Sequence, residues 1–293
     1  RAAAHSGKCG SRRPSPVAPS TESSATAYGA GVTKLQMIGG GKMAEALLGG
    51  LVERGWASPE ELHVVEPAEE RHRVLKAAYP GISVDNVPVA RVDAVIAVKP
   101  NIVELVLPVL REAGVDRVLS IAAGVRTDAM EAGLPEGTRV VRCMPNTPAL
   151  VGRGAAAIAG GLMATEADLD WAAEILIAVG MVVVVEEPDI DAVTGVSGSG
   201  PAYVFHLAEA MTAAGIAEGL SPETADALTR QTLLGAATLL SESGEDPAQL
   251  RINVTSPNGT TQAGLEVFAE ADFMGLVARV VKAAADRSRE LGG

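Results

Sequence analysis

The stretch Leu35-Gln36-Met37-Ile38-Gly39-Gly40-Gly41-Lys42-Met43-Ala44 decides the architecture. A short, mostly apolar run stops at three glycines, and a helix-forming run follows from Met43 to Arg54. The spacing is G-x-G-x-x-A, with Ala44 in the third position. Gly39 permits a tight turn, Gly41 lets the backbone approach a pyrophosphate, and Ala44 lets the helix pack close to the strand. The free N–H groups and positive dipole end of the helix favour the phosphates. The same letters would also serve a glycine-rich turn with only a packing role. Their place after a strand, before a helix and at the head of an alternating region favours the dinucleotide reading.

Outward from this loop, short apolar runs alternate with amphipathic stretches. Strands are expected over Lys34–Gly39, Leu62–Glu66, Ala94–Val98, Arg117–Ile121, Val140–Met144, Ala155–Ala159 and Met181–Val185. Helices fall between most of them, as at Met43–Arg54, Glu69–Tyr79 and Glu166–Val179. Such alternation predicts the α/β class, a Rossmann-like doubly wound, mostly parallel sheet. Past Asp189 the strands stop. Pro201–Ala217, Pro222–Glu242 and Gly264–Leu291, the last interrupted near Asp272, read as an all-helical domain rich in Ala, Leu and Gly. The expected division is an N-terminal extension over 1–33, a dinucleotide-binding domain over 34–188 and a helical domain over 189–293. The extension lacks hydrophobic periodicity and cannot offset the entropy of ordering. Its composition fits a transit peptide, but no Arg-rich amphipathic helix is visible, which favours an expression or start-site extension.

The 293 residues are 47% hydrophobic and only 3% aromatic, so the cores are built from Ala, Val, Leu and Ile. A formal net charge of -12 gives no support to nucleic acid or anionic lipid as a partner. Two cysteines, Cys9 and Cys143, make no disulfide framework, which favours a reducing compartment such as the cytoplasm. The histidines lack metal-ligand spacing, so no metal is expected. No apolar run approaches a membrane span.

Several residues stand where ligands of such sheets bind. Glu66 closes the second strand, where an acid holds ribose hydroxyls and disfavours a 2′-phosphate; it could equally be a solvated loop acid. Arg71 and Arg73 follow, and either meet a 2′-phosphate or lie on a solvated helix face, so NADPH versus NADH stays open. Ala97-Val98-Lys99-Pro100 ends the third strand, with Lys99 at its carboxyl end. The most unusual stretch is Asn253-Val254-Thr255-Ser256-Pro257-Asn258-Gly259-Thr260-Thr261. Hydroxyls, a proline turn and a glycine before a helix suit a carboxylate ligand. An elaborate helix cap with Ser or Thr as N-cap is the other reading.

From Lys34 to Leu291 the chain resembles the pyrroline-5-carboxylate reductases. The matching motifs are the Gly39–Ala44 loop, Ala97–Pro100, Arg142-Cys143-Met144-Pro145-Asn146-Thr147-Pro148, Asp191-Ala192-Val193-Thr194-Gly195 running into Ser197–Tyr203, and the Thr255–Thr261 signature. Asn258 stands where Gly is usual, and Glu66 where many members carry a hydroxyl or basic residue. The resemblance implies reduction of Δ1-pyrroline-5-carboxylate to L-proline with NADPH or NADH. It places the cofactor along Gly39, Gly40, Gly41, Lys42, Met43, Ala97, Val98, Lys99 and Ala123, with Asn253 nearby and the nicotinamide facing the helical domain. It implies that Gly259, Thr260 and Ser256 hold the substrate carboxylate, that Thr261 bonds the ring nitrogen, and that Glu187 meets the product's ring nitrogen. Ser256 and Thr261 are the catalytic candidates. The resemblance further implies a helical dimerisation domain and a homodimer, assembled in some relatives into decamers.

A protonated imine is already electrophilic, so positioning and electrostatics suffice without a His or Cys catalyst. A hydroxyacid dehydrogenase would need a lysine base in the helical domain, and no lysine occurs between Asp189 and Glu270. A nucleotide-sensing protein of the same fold without turnover is disfavoured by the intact Ser256 and Thr261.

Overall fold

A computed structural model describes residues 33–292 of the chain. The extension expected over 1–33 lies outside the described residues, apart from Thr33, and so does Cys9. In chain order the elements are β1 (Leu35–Ile38), α1 (Lys42–Glu53), β2 (Leu62–Val65), α2 (Glu69–Ala78), β3 (Ser83–Asp85), β4 (Ala94–Ile96), α3 (Pro100–Glu112), β5 (Arg117–Ser120), α4 (Thr127–Gly133), β6 (Arg139–Met144), β7 (Gly154–Gly160), α5 (Glu166–Leu176) and β8 (Gly180–Val184). Then come α6 (Ile190–Val193), a π turn over Thr194–Gly198, α7 (Gly200–Ala217), α8 (Pro222–Glu242), α9 (Pro247–Asn253), α10 (Thr260–Glu270) and α11 (Phe273–Gly292).

The eight strands form one sheet in the order β3-β2-β1-β4-β5-β6-β7-β8. Every neighbouring pair is parallel except β6 and β7, which are antiparallel. The reversal follows from the connection. Between Met144 and Gly154 there is only a 3-10 turn over Thr147–Val151, whereas a parallel crossover needs about a dozen residues or more. The strand absent from the sequence reading is β3. It is a three-residue edge strand in which only Val84 is buried, too short for an apolar run.

Two further differences concern helix ends. The helix expected over Glu166–Val179 stops at Leu176 and tightens into a 3-10 turn over Ile177–Val179. The long C-terminal helix begins at Thr260 rather than Gly264 and breaks where Asp272 takes φ 49°. The sequence reading also passed over α9, which Asp246 caps by accepting the Ala248 N–H.

The chain divides into two compact units. One is Thr194–Arg287; the other comprises the preceding described residues with the last turn from Ser288. The hydrophobic clusters lie in the sheet unit, where Leu35, Met37, Leu47, Leu48, Val64 and Ile158 are fully buried on one face, and Ile96, Val118, Leu110 and Met130 equally so on the other. Within Thr194–Arg287 the buried residues are Gly195, Ala225, Thr229 and Ala285. Apolar side chains such as Phe205, Leu234, Val267 and Met274 stand exposed there. Among the described residues no helix is long and apolar enough to cross a membrane.

Candidate active site

The strand order places β1 beside β4, so the chain runs outward through β2 and β3 and then returns to the other side of β1. The crevice at the carboxyl ends of β1 and β4 is the topological switch point, where ligands of open α/β sheets bind. Both expected cofactor segments border it. The Gly39 N–H donates to the Val65 carbonyl at 2.8 Å, and the Ala97 N–H to the Ile38 carbonyl at 2.8 Å. Gly39 has φ +105°, and a Cβ there would lie 2.9 Å from the Ala97 carbonyl oxygen and from Val98 Cγ1. No other residue fits that turn without strain.

Gly41 is the N-cap of α1, makes no side-chain cap, and has nothing within 4 Å of where a Cβ would stand. An uncapped helix start beneath open space is a fit for a pyrophosphate. Lys42 and Lys99 are exposed, Met43 is half-buried, and Lys99 is the N-cap of α3. Ala123 is exposed in the loop after β5.

Glu66 and Arg71 both turn to the loop itself. Glu66 Oε2 accepts the Gly40 N–H at 2.8 Å and its Oε1 the Ala68 N–H at 2.9 Å. Arg71 donates to the Gly40 carbonyl and to Glu45. Arg73 is exposed on α2.

In the helical unit, Gly259 is the N-cap of α10, without a side-chain cap. Thus the Ser/Thr cap that the sequence allowed does not form. A Cβ at Gly259 would meet Ser256 Oγ at 2.3 Å, so glycine is what lets that hydroxyl sit against the helix start. The Gly259 N–H closes a turn onto the Ser256 carbonyl at 3.0 Å. Asn258 takes φ 55°, which explains why glycine is usual there and why asparagine serves. Ser256, Thr260 and Thr261 are exposed. Asn253 ends α9, its amide held by Gln249 at 2.7 Å and Glu245 at 2.9 Å.

Comparison with known proteins bears directly on this arrangement. Residues 187–291 match the family described as pyrroline-5-carboxylate reductase dimerisation, and residues 34–124 match one described as NADP oxidoreductase, coenzyme F420-dependent. A pyrroline-5-carboxylate reductase of Synechocystis sp. is 45% identical over 88% of this chain and 98% of its own. The chain belongs to the pyrroline-5-carboxylate reductase family. Solved members agree in fold. The Coxiella burnetii reductase is 33% identical with TM-score 0.84, covering 89% of this chain and 99% of its own. The Plasmodium falciparum enzyme, with NADP bound, is 29% identical with TM-score 0.78 over 90% and 100%.

Within this reductase fold, Glu187 is tied into the sheet unit. Its carboxylate accepts the Thr127 N–H at 2.8 Å and hydroxyl at 2.5 Å, and pairs with Arg142 Nη1 at 3.1 Å. It therefore serves the first turn of α4, whose own N-cap side chain makes no such bond. The sequence reading quoted Arg142 but gave it no role. Its signal was an arginine inside the apolar strand Arg139–Met144, since a buried guanidinium needs a partner. Cys143 is buried, and burial pushes its thiol well up, so it is inert.

Burial pushes the Glu187 carboxyl up, but the Thr127 hydroxyl and N–H, with Arg142, outweigh it and hold the group below the usual carboxylate range. A depressed folded pKa contributes stability above the ordinary carboxylate range, and that contribution disappears as pH falls through the folded value. Glu187→Gln is expected to cost about 3 kcal/mol near neutral pH, because Arg142 keeps its buried charge without a counter-ion. The variant's stability should also fall less steeply into acid than the wild type's. Chemical denaturation from neutral to acid pH, at fixed protein concentration, checks both; equal slopes would detach Glu187 from the acid transition.

Proposed function

We propose that this chain reduces Δ1-pyrroline-5-carboxylate to L-proline with NADPH or NADH, the last step of proline biosynthesis. The observation that carries the reading is family membership along nearly the whole chain, joined to an unobstructed glycine loop at the switch point. NADP in the Plasmodium falciparum relative supports NADPH as a cofactor. When bound, the nicotinamide supplies the hydride that the imine carbon accepts.

The protein's residues divide the remaining work. Gly41, Lys42 and Met43 hold the pyrophosphate at the start of α1, while Gly39 and Gly40, whose N–H groups serve Val65 and Glu66, shape the turn, with Ala97, Val98, Lys99 and Ala123 along the crevice. Glu66 retains lone pairs for a ribose hydroxyl beyond its two backbone bonds. The uncapped start of α10 and the Ser256 hydroxyl hold the substrate carboxylate through the Thr260 N–H, while Gly259, whose N–H closes the turn onto Ser256, lets the ligand approach the backbone. Thr261 bonds the ring nitrogen and keeps the imine oriented. Asn253 ends α9 with its amide held by Gln249 and Glu245, and Glu187 acts by securing α4 rather than by touching substrate. The sheet unit is the dinucleotide-binding domain, and the helical unit Thr194–Arg287 is the substrate-binding and dimerisation domain. Its exposed apolar faces favour a homodimer, assembled further into rings such as decamers. A free, buried Cys143 is compatible with work in the cytoplasm.

The purified protein should oxidise NAD(P)H on addition of pyrroline-5-carboxylate; inertness towards it with turnover of a hydroxyacid would sink the assignment. Thr261→Ala should lower kcat/KM by about tenfold or more, as losing a hydrogen bond to a charged group does. An unchanged value would leave Thr261 as a helix-start residue only. Activity should also fall with dilution, in step with dimer dissociation followed by light scattering. A fully active monodisperse monomer is incompatible with the dimer.

A further inference from the structure

One residue of the glycine loop, Gly40, has both of its backbone polar groups held by charged side chains. The Gly40 N–H donates to Glu66 Oε2 at 2.8 Å. The Gly40 carbonyl accepts from Arg71 Nε at 2.9 Å and Nη2 at 2.6 Å. Arg71 Nη2 also reaches Glu45 Oε2 at 3.0 Å, and Glu45 lies 3.5 Å from Lys42 Nζ. The clamp therefore links α1, the loop, the end of β2 and α2. Arg71 and Glu45 are each about three-quarters shielded from solvent, at 24% and 25% side-chain exposure.

Gly40 sits between two other glycines, so the peptide planes on either side of it would be the softest part of the loop. A flipped peptide would turn its carbonyl towards a phosphate and repel it. The fork of Arg71 spends Nε and one Nη2 donor on keeping that carbonyl in place and turns the other Nη2 donor to Glu45. The Arg71 hydrogen bond and charge also hold the Glu45 carboxyl below its usual range.

We propose that Arg71, together with Glu66 and Glu45, fixes the two peptide planes flanking Gly40 and so preorganises the loop for NADPH and NADH alike, instead of selecting the 2′-phosphate. Arg71 is a positioning residue here, acting through a backbone carbonyl. The proposal rests on the reading that this chain binds a nicotinamide dinucleotide, but not on its substrate.

The test uses the full chain without substrate. Wild type, Arg71→Ala and Arg71→Lys are titrated with NADPH and with NADH, following nucleotide fluorescence, after circular dichroism has confirmed folding. Releasing one ordered backbone residue should weaken binding of both nucleotides by about tenfold in Arg71→Ala. The lysine variant should recover only part of this, because one ammonium cannot hold the carbonyl and Glu45 in a planar fork. In turnover the loss should fall on the nucleotide KM more than on kcat. A loss confined to NADPH would make Arg71 a phosphate ligand and overturn the proposal, as would undiminished binding of both. If Arg71→Ala does not fold, the lysine variant decides by the same comparison. A wild type that binds nucleotide but leaves pyrroline-5-carboxylate unreduced would sink the substrate assignment and leave this inference standing. A wild type that binds neither nucleotide would overturn both.

Discussion

The close approach of Gly39 to the Ala97 carbonyl is the constraint on which the site depends. A parallel strand that ends at a switch point must leave the sheet within a residue, or its continuation would cover the crevice. At φ +105°, with 2.9 Å between the would-be Cβ and the neighbouring carbonyl, only glycine makes that exit. The turn brings the start of α1 over the end of β1, and the absence of a side-chain cap leaves its first N–H groups for a ligand. Ala44, fully buried, then lets α1 lie against the sheet. Exit, helix start and helix packing are one geometric solution.

A second constraint is burial. The sheet unit closes its own apolar faces on both sides, with long runs of fully buried aliphatic residues. The helical unit does not: its exposed Leu234, Leu239, Val267 and Met274 have no counterpart cover in the single chain. Helices this rich in alanine and glycine bring little volume to a core of their own, so the match of residues 187–291 to a dimerisation family has a physical basis.

Charged residues near the crevice illustrate how local position can mislead. Glu66 and Arg71 occupy places from which ribose and 2′-phosphate are usually read, yet both spend hydrogen bonds on the backbone of Gly40. Glu187 similarly serves the Thr127 N–H and Arg142. Backbone groups in a glycine loop or a first helical turn need partners as much as a ligand does. A nearby carboxylate or guanidinium supplies them before any ligand arrives.

The order of strands and helices, the glycine loop, the absence of a lysine base and the small-residue character of the helical half were all legible in the sequence, because each rests on local periodicity or on one residue's steric range. Asn258 belongs with them: its left-handed φ of 55° is the local reason that glycine or asparagine must stand there. The tertiary structure decided what local pattern does not encode. It added β3, whose single buried residue gives no periodic signal, and reversed β7, since the short link after β6 has no room for a crossover. It also paired Arg71 with Gly40 and Glu45, and Arg142 with Glu187, across separations of 31, 26 and 45 residues. Such partners are fixed by which strand ends and helix starts the fold brings together, and sequence spacing carries no trace of that distance.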